Sequence, residues 1–191
     1  SISFGDFSIQ NFSLSGNDEL VTIRGRHDQI GELYYQGRQL TYVNFWLDEY
    51  DLAPVEQLVV RTGDNEADIQ GWVMKPPGMD RTQKYPAVLV IRGGPETTAT
   101  EDFWHVYQAI ASAGIVVLFC NPRGGTGYGP AFNKNGIAWS KGGDDLISFV
   151  SAAVRLGYID EKRIGVSGGS YGGYMANKLI CETDIFSAAV I

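Results

Sequence analysis

Arg163-Ile164-Gly165-Val166-Ser167-Gly168-Gly169-Ser170-Tyr171-Gly172-Gly173-Tyr174-Met175 reads as a short apolar strand, a glycine-rich turn and the opening of a helix. Within it, Gly168-x-Ser170-x-Gly172 has the form of a nucleophile elbow, in which a serine occupies a sharp strand-to-helix turn. Such a serine has a strained backbone and an exposed hydroxyl. Glycine is required two residues to either side, because a side chain there would collide with the neighbouring strand or helix. The helix that begins after Ser170 points its amide dipoles at that hydroxyl. The bland alternative is a glycine-rich turn that only packs a helix on a strand. A P-loop is excluded, since no lysine follows the glycines, and no G-x-G-x-x-G dinucleotide site occurs at this turn.

The surrounding chain supplies the context this turn needs. Residues 56–61 and 68–75 read as an antiparallel strand pair joined through Gly63-Asp64-Asn65. Four short runs rich in Val and Ile follow, at 86–91, 115–120, 164–167 and 187–191. Helices are expected between them at 101–113, 144–157 and 171–182; in the middle one Leu146, Phe149, Val150, Ala153 and Val154 fall at helical spacing. Strands alternating with helices, and lacking a polar face, predict an α/β fold for residues 56–191 with a mainly parallel sheet covered on both sides. Asp144 and Asp145 follow Gly142-Gly143 and read as dipole-compensating acids in a first turn.

Residues 1–55 follow a different grammar. Short alternating stretches at 7–12, 19–23, 32–35 and 39–43 are separated by Ser15-Gly16-Asn17-Asp18, His27-Asp28 and Gln36-Gly37-Arg38. They predict a four-stranded β meander, suited to one propeller blade or a sandwich edge, that belongs to something larger.

Val90-Ile91-Arg92-Gly93-Gly94-Pro95 ends the first apolar run. Two glycines there let the backbone approach a substrate carbonyl, and loops of this kind supply an N–H to an oxyanion hole. The candidate site residues are therefore Ser170 as nucleophile, with the backbone N–H groups of Tyr171 and Gly94 as oxyanion donors. On that reading, side-chain changes at Tyr171 are expected to cost much less transition-state stabilisation than loss of an oxyanion donor, because the donor is its backbone. Asn121–Gly129 follows another strand at the same sheet edge, with Arg123 expected to anchor the loop by ionic hydrogen bonds.

Composition narrows the function classes. The 191 residues include 24 glycines and 7 prolines, and the net charge is −7. Such a chain is neither disordered nor a coiled coil, and its acidity with no basic stripe argues against nucleic acid as partner. Its apolar runs are far short of the ~18 residues that a membrane span needs. Cys120 and Cys181 have no neighbour at metal-ligand spacing and read as small buried hydrophobes. No metal or cofactor is called for. The compartment is not fixed by the sequence, with the cytoplasm favoured, and a homo-oligomer stays open.

With these motifs in view, the chain resembles the prolyl oligopeptidase family of serine peptidases, in its acylaminoacyl-peptidase-like branch. The resemblance rests on Gly168-Gly169-Ser170-Tyr171-Gly172-Gly173-Tyr174-Met175, on Asn121-Pro122-Arg123-Gly124-Gly125-Thr126-Gly127-Tyr128-Gly129, on Gly93-Gly94-Pro95 and on Gly71-Trp72. Leu40-Thr41-Tyr42-Val43-Asn44 is similar to the closing propeller strand. It implies an α/β-hydrolase fold at 56–191 preceded by the end of a β-propeller at 1–55, and cleavage of short peptides through an acyl-enzyme on Ser170. Gly169 favours the acylaminoacyl type, because dipeptidyl-peptidase-like members usually have Trp there. Arg92 departs from the family, whose acylaminoacyl members usually have His before Gly-Gly-Pro. A second departure is larger: the triad order is Ser, Asp, His, and after Ser170 the sequence holds Asp184 but no His. The chain, which starts at Ser1, is therefore expected to be a fragment lacking the triad Asp and His, and inactive alone. An esterase of the same fold, or a non-catalytic binding protein on it, is the alternative.

Overall fold

The computed structural model describes residues 7–134 and 136–191; the first six residues of the span read as β lie outside them. Two sheets account for its strands. The first is an antiparallel meander of β1 (Ser8–Leu14), β2 (Leu20–Arg26), β3 (Gln29–Tyr35) and β4 (Arg38–Gln39), paired in that order.

The expected fourth strand at 39–43 stops after Gln39, and the reason is a buried carboxylate. Glu32 accepts hydrogen bonds from the Val43 amide at 2.9 Å, the Asn44 amide at 3.0 Å, the Asn44 side chain at 3.1 Å and the Thr41 hydroxyl at 2.5 Å. Amides that would have extended the ladder are turned onto one side chain instead. A 3-10 helix at Phe45–Glu49 follows.

The second sheet has six strands in the order β10-β9-β7-β8-β6-β5. These are β5 (Val55–Arg61), β6 (Asp68–Met74), β7 (Tyr85–Ile91), β8 (Val116–Cys120), β9 (Ile159–Gly168) and β10 (Ala188–Val190). β5 and β6 pair antiparallel, as does β6 with β8, and the other pairs are parallel. Both faces are covered. Ala87, Leu89 and Ile91 of β7, with Val116 and Leu118 of β8, pack under α2 (Ile137–Val154) and α3 (Tyr171–Glu182). Trp72, Met74, Val117 and Phe119 form the opposite layer with Ala111 of α1 (His105–Ser112). Side chains from alternate positions of one strand thus enter two apolar layers, which is why the strands show no polar face.

Helix bounds differ from expectation in two places. α1 begins at His105 rather than 101, because the segment before it is held extended: Trp104 has φ −119° and ψ 100°. α2 begins at Ile137, seven residues ahead of the predicted start at Asp144. Gly142 and Gly143 look like a break in the sequence but lie inside the helix, where it meets α3. A Cβ on Gly142 would stand 3.0 Å from the Tyr171 hydroxyl and 3.3 Å from Met175 Cε. Asp145 is consequently mid-helix and buried rather than in a first turn. Cys120 is buried as expected, whereas Cys181 is exposed on the far side of α3 from Met175 and Leu179. Among the described residues no helix is long and apolar enough to cross a membrane.

Candidate active site

Three strands deliver the site to one edge of the sheet. β7 and β9 run parallel in a register that places Ile91 beside Gly168, so their carboxyl ends finish together. Ser170 caps α3 with φ 58° and ψ −126°, a conformation that L-residues other than glycine rarely adopt. Its side chain is exposed.

The flanking glycines explain how the turn fits. A Cβ on Gly172 would lie 2.0 Å from the Ile91 carbonyl oxygen, and one on Gly168 would lie 2.4 Å from the Gly172 backbone. Either side chain would drive the helix off the sheet. The collision inferred from the motif is therefore present on both sides.

Gly93 lies over the serine: a Cβ built on it would stand 3.6 Å from Ser170 Cβ and 4.0 Å from Oγ. Gly94 follows on the same exposed loop, and a Cβ there would meet Thr97 Oγ1 at 2.8 Å. Tyr171 is the first residue of α3, so its amide is one of those with no acceptor inside the helix. The structure thus gathers Ser170, Tyr171 and the glycine loop.

The Tyr171 side chain has a packing role separate from that of its amide. It is buried, its hydroxyl donates to the Ala138 carbonyl at 3.0 Å, and Trp139 meets its ring edge-on at 5.0 Å. Burial pushes its phenol up to about 12. Trp139, half-exposed, also stands edge-on to Tyr174 at 4.8 Å. This aromatic group ties α2 to the turn.

Arg123 anchors its loop as expected, through partners the sequence did not pair. Its guanidinium contacts Asp145 at 2.5 Å, Asp64 at 2.9 Å and Glu66 at 3.2 Å, and its amide donates to Asp145 at 2.9 Å. Arginine and Asp145 are 3% and 0% exposed, which makes this a buried, multiply bonded pair. The hydrogen bonds to Asp145 hold the Arg123 charge more firmly than usual. Lys141, Thr62 and Arg123 hold the Asp64 carboxyl well below its ordinary range. Asp64 lies in the β5–β6 hairpin, so three distant segments converge on one loop.

Neither histidine approaches this arrangement. His27 Nδ1 lies 2.9 Å from Glu101 Oε1 without a well-aligned hydrogen bond, and His105 is exposed at the start of α1. His27 instead lines a cleft of about 580 Å³ between the meander and the sheet edge, with Phe7, Arg26, Trp72, Glu101 and Tyr128. Asp184 is exposed beyond α3. Among the described residues no group of His, Cys, Asp and Glu is placed to hold a metal ion.

The prolyl oligopeptidase family matches the segment holding the elbow, the Asn121 loop and all three helices. That match covers residues 101–191. The chain is 35% identical over 193 residues to the uncharacterized peptidase YuxL of Bacillus subtilis, covering 95% of this chain and 29% of that protein. It is 27% identical over 201 residues to dipeptidyl-peptidase 5 of Porphyromonas gingivalis, covering 98% of this chain and 28% of that one. The acylaminoacyl peptidase of Pyrococcus horikoshii superposes with a TM-score of 0.89 at 26% identity, over 99% of this chain and 31% of that one.

This chain therefore spans about three tenths of the length of the relatives it matches. Its fold class is that of the prolyl oligopeptidase family, a propeller-type meander ahead of an α/β-hydrolase sheet. Sequence reasoning missed the Arg123–Asp145 pair, the Glu32 anchor and the Tyr171–Ala138 bond. The Asn-Pro-Arg-Gly run was a signal for the first; nothing local signals the other two.

Proposed function

We propose that this chain carries the nucleophile half of a serine peptidase that cleaves short peptides through an acyl-enzyme on Ser170. The observation that carries the reading is the strained, exposed Ser170, fixed between Gly168 and Gly172 under the Gly93 backbone. A fold keeps such a conformation where the surrounding contacts over-determine it, and such positions cluster at active sites. In this reading Ser170 Oγ attacks the scissile carbonyl. The Tyr171 and Gly94 amides receive the oxyanion, stabilising the tetrahedral intermediate. An imidazole takes the hydroxyl proton and returns it to the leaving amine. In this reading that imidazole is neither His27, which faces Glu101, nor His105, which is exposed at the start of α1.

The named relatives support a peptidase, and the acylaminoacyl preference rests on Gly169 and on similarity to acylaminoacyl peptidases. The meander against the sheet argues for a peptidase over a plain esterase, which has no such domain. The test compares three substrates on the full-length protein: an acyl-alanine anilide, a dipeptide anilide with a free amine, and a p-nitrophenyl ester. The acyl-alanine anilide should have the highest kcat/KM, and Ser170→Ala should abolish its turnover. A preference for the free-amine dipeptide would overturn the acylaminoacyl assignment, and a preference for the ester the peptidase reading itself.

A further inference from the structure

Arg92 follows β7 directly, and its guanidinium is half-buried beside Tyr107 of α1. No ion pair with a carboxylate offsets its desolvation among the described residues. Burying a cation without a counter-charge is unfavourable unless hydrogen bonds compensate it. Its Nη1 donates to the Thr98 carbonyl, six residues along the loop that holds Gly93 and Gly94.

Other hydrogen bonds tie the loop to itself and to its neighbour. Thr97 Oγ1 donates back to the Gly93 carbonyl at 2.6 Å. At the far end Thr98 Oγ1 donates to the Thr126 carbonyl at 2.5 Å, and Ala99 exchanges two hydrogen bonds with the Asn121 side chain at 2.6 and 2.9 Å. Thr126 and Asn121 belong to the loop that Arg123 and Asp145 lock in place. The far end of the glycine loop is thus fixed to a rigid neighbour, and Arg92 fixes the near end to the far end.

We infer that Arg92 is a positioning residue, which holds Gly93 over Ser170, and sets the Gly94 amide after it, by bridging the ends of their loop. The inference rests on the reading of Ser170 as nucleophile. Arg92 touches no reacting atom in it; it acts through the backbone amides. Those amides act on charge that develops only in the transition state, so the loss should appear there.

The experiment is kinetic, on the full-length protein. Arg92→Met should lower kcat about 10- to 100-fold while KM changes by no more than about twofold, as for donors displaced by a fraction of an ångström. Affinity for a peptidyl trifluoromethyl ketone, which forms a tetrahedral oxyanion on the serine, should fall in step with kcat. A merely structural role would not link those two. Arg92→Lys keeps a donor that can reach a carbonyl and should recover most of both losses. Wild-type kcat and ketone affinity in Arg92→Met would overturn the inference, as would a loss confined to KM. Failure of both variants to fold would also overturn it, by placing Arg92 in stability alone. Labelling of the wild-type serine by a fluorophosphonate separates the two readings: without it the nucleophile assignment fails first, whatever Arg92 does.

Discussion

Ser170 holds a backbone conformation that costs on the order of 1–3 kcal/mol for a residue with a Cβ. That cost gives a prediction with an unusual sign. Glycine normally destabilises relative to alanine by about 0.5–1 kcal/mol. At this position Ser170→Gly should be at least as stable as Ser170→Ala in chemical denaturation, and both should be inactive. A glycine variant less stable than the alanine variant would show that the turn is unstrained. Tyr171 gives a second contrast. Tyr171→Phe loses one hydrogen bond to Ala138 and should cost about 1 kcal/mol. Tyr171→Ala empties a buried site between α2 and α3 and should cost about 3–5 kcal/mol, seen as a lower denaturation midpoint. The elbow was legible in the sequence because its strain demands glycine at fixed offsets. The role of the tyrosine ring was not, since its partners on α2 lie more than thirty residues upstream.

At the scale of elements, two buried carboxylates hold connections that pattern alone did not reveal. Asp145 was read as ordinary charge at a helix start because Gly142-Gly143 looked like a break; the glycines are instead a helix–helix contact. Removing one partner of a buried, hydrogen-bonded pair leaves the other unpaired, so Asp145→Ala should cost about 3–5 kcal/mol. It should also loosen the 121–129 loop, measurable as faster amide exchange there. Unchanged exchange would mean that Arg123 alone holds the loop. Glu32 makes a pH-dependent prediction. Burial by itself raises its carboxyl, but hydrogen bonds from Thr41, Asn44 and Val43 outweigh it and leave the group below its ordinary 4.5. A carboxyl with a lowered folded value stabilises the fold fully above the unfolded value, and loses that contribution as pH falls through the folded one. At pH 7 Glu32→Gln should be less stable by about 2 kcal/mol, and the gap should narrow below about pH 4.5. A gap independent of pH would remove the charge from the explanation.

Across the whole molecule, the sheet was the most legible feature. Apolar runs without alternation required cover on both faces, and the strand order places β7, β8 and β9 side by side with their carboxyl ends together. That arrangement needs no knowledge of any relative. The loop contacts across that edge were not legible, because Thr98 to Thr126 and Arg123 to Asp64 join segments distant in sequence. If this edge presents Ser170 as a nucleophile, a fluorophosphonate should react with it in the full-length protein, and mass spectrometry locates the adduct. Trypsin releases residues 164–178, which hold two serines, Ser167 and Ser170. One adduct is expected, on Ser170, lost on prior denaturation and absent from Ser170→Ala. An adduct on Ser167, or labelling that persists in the alanine variant, would contradict that nucleophile assignment.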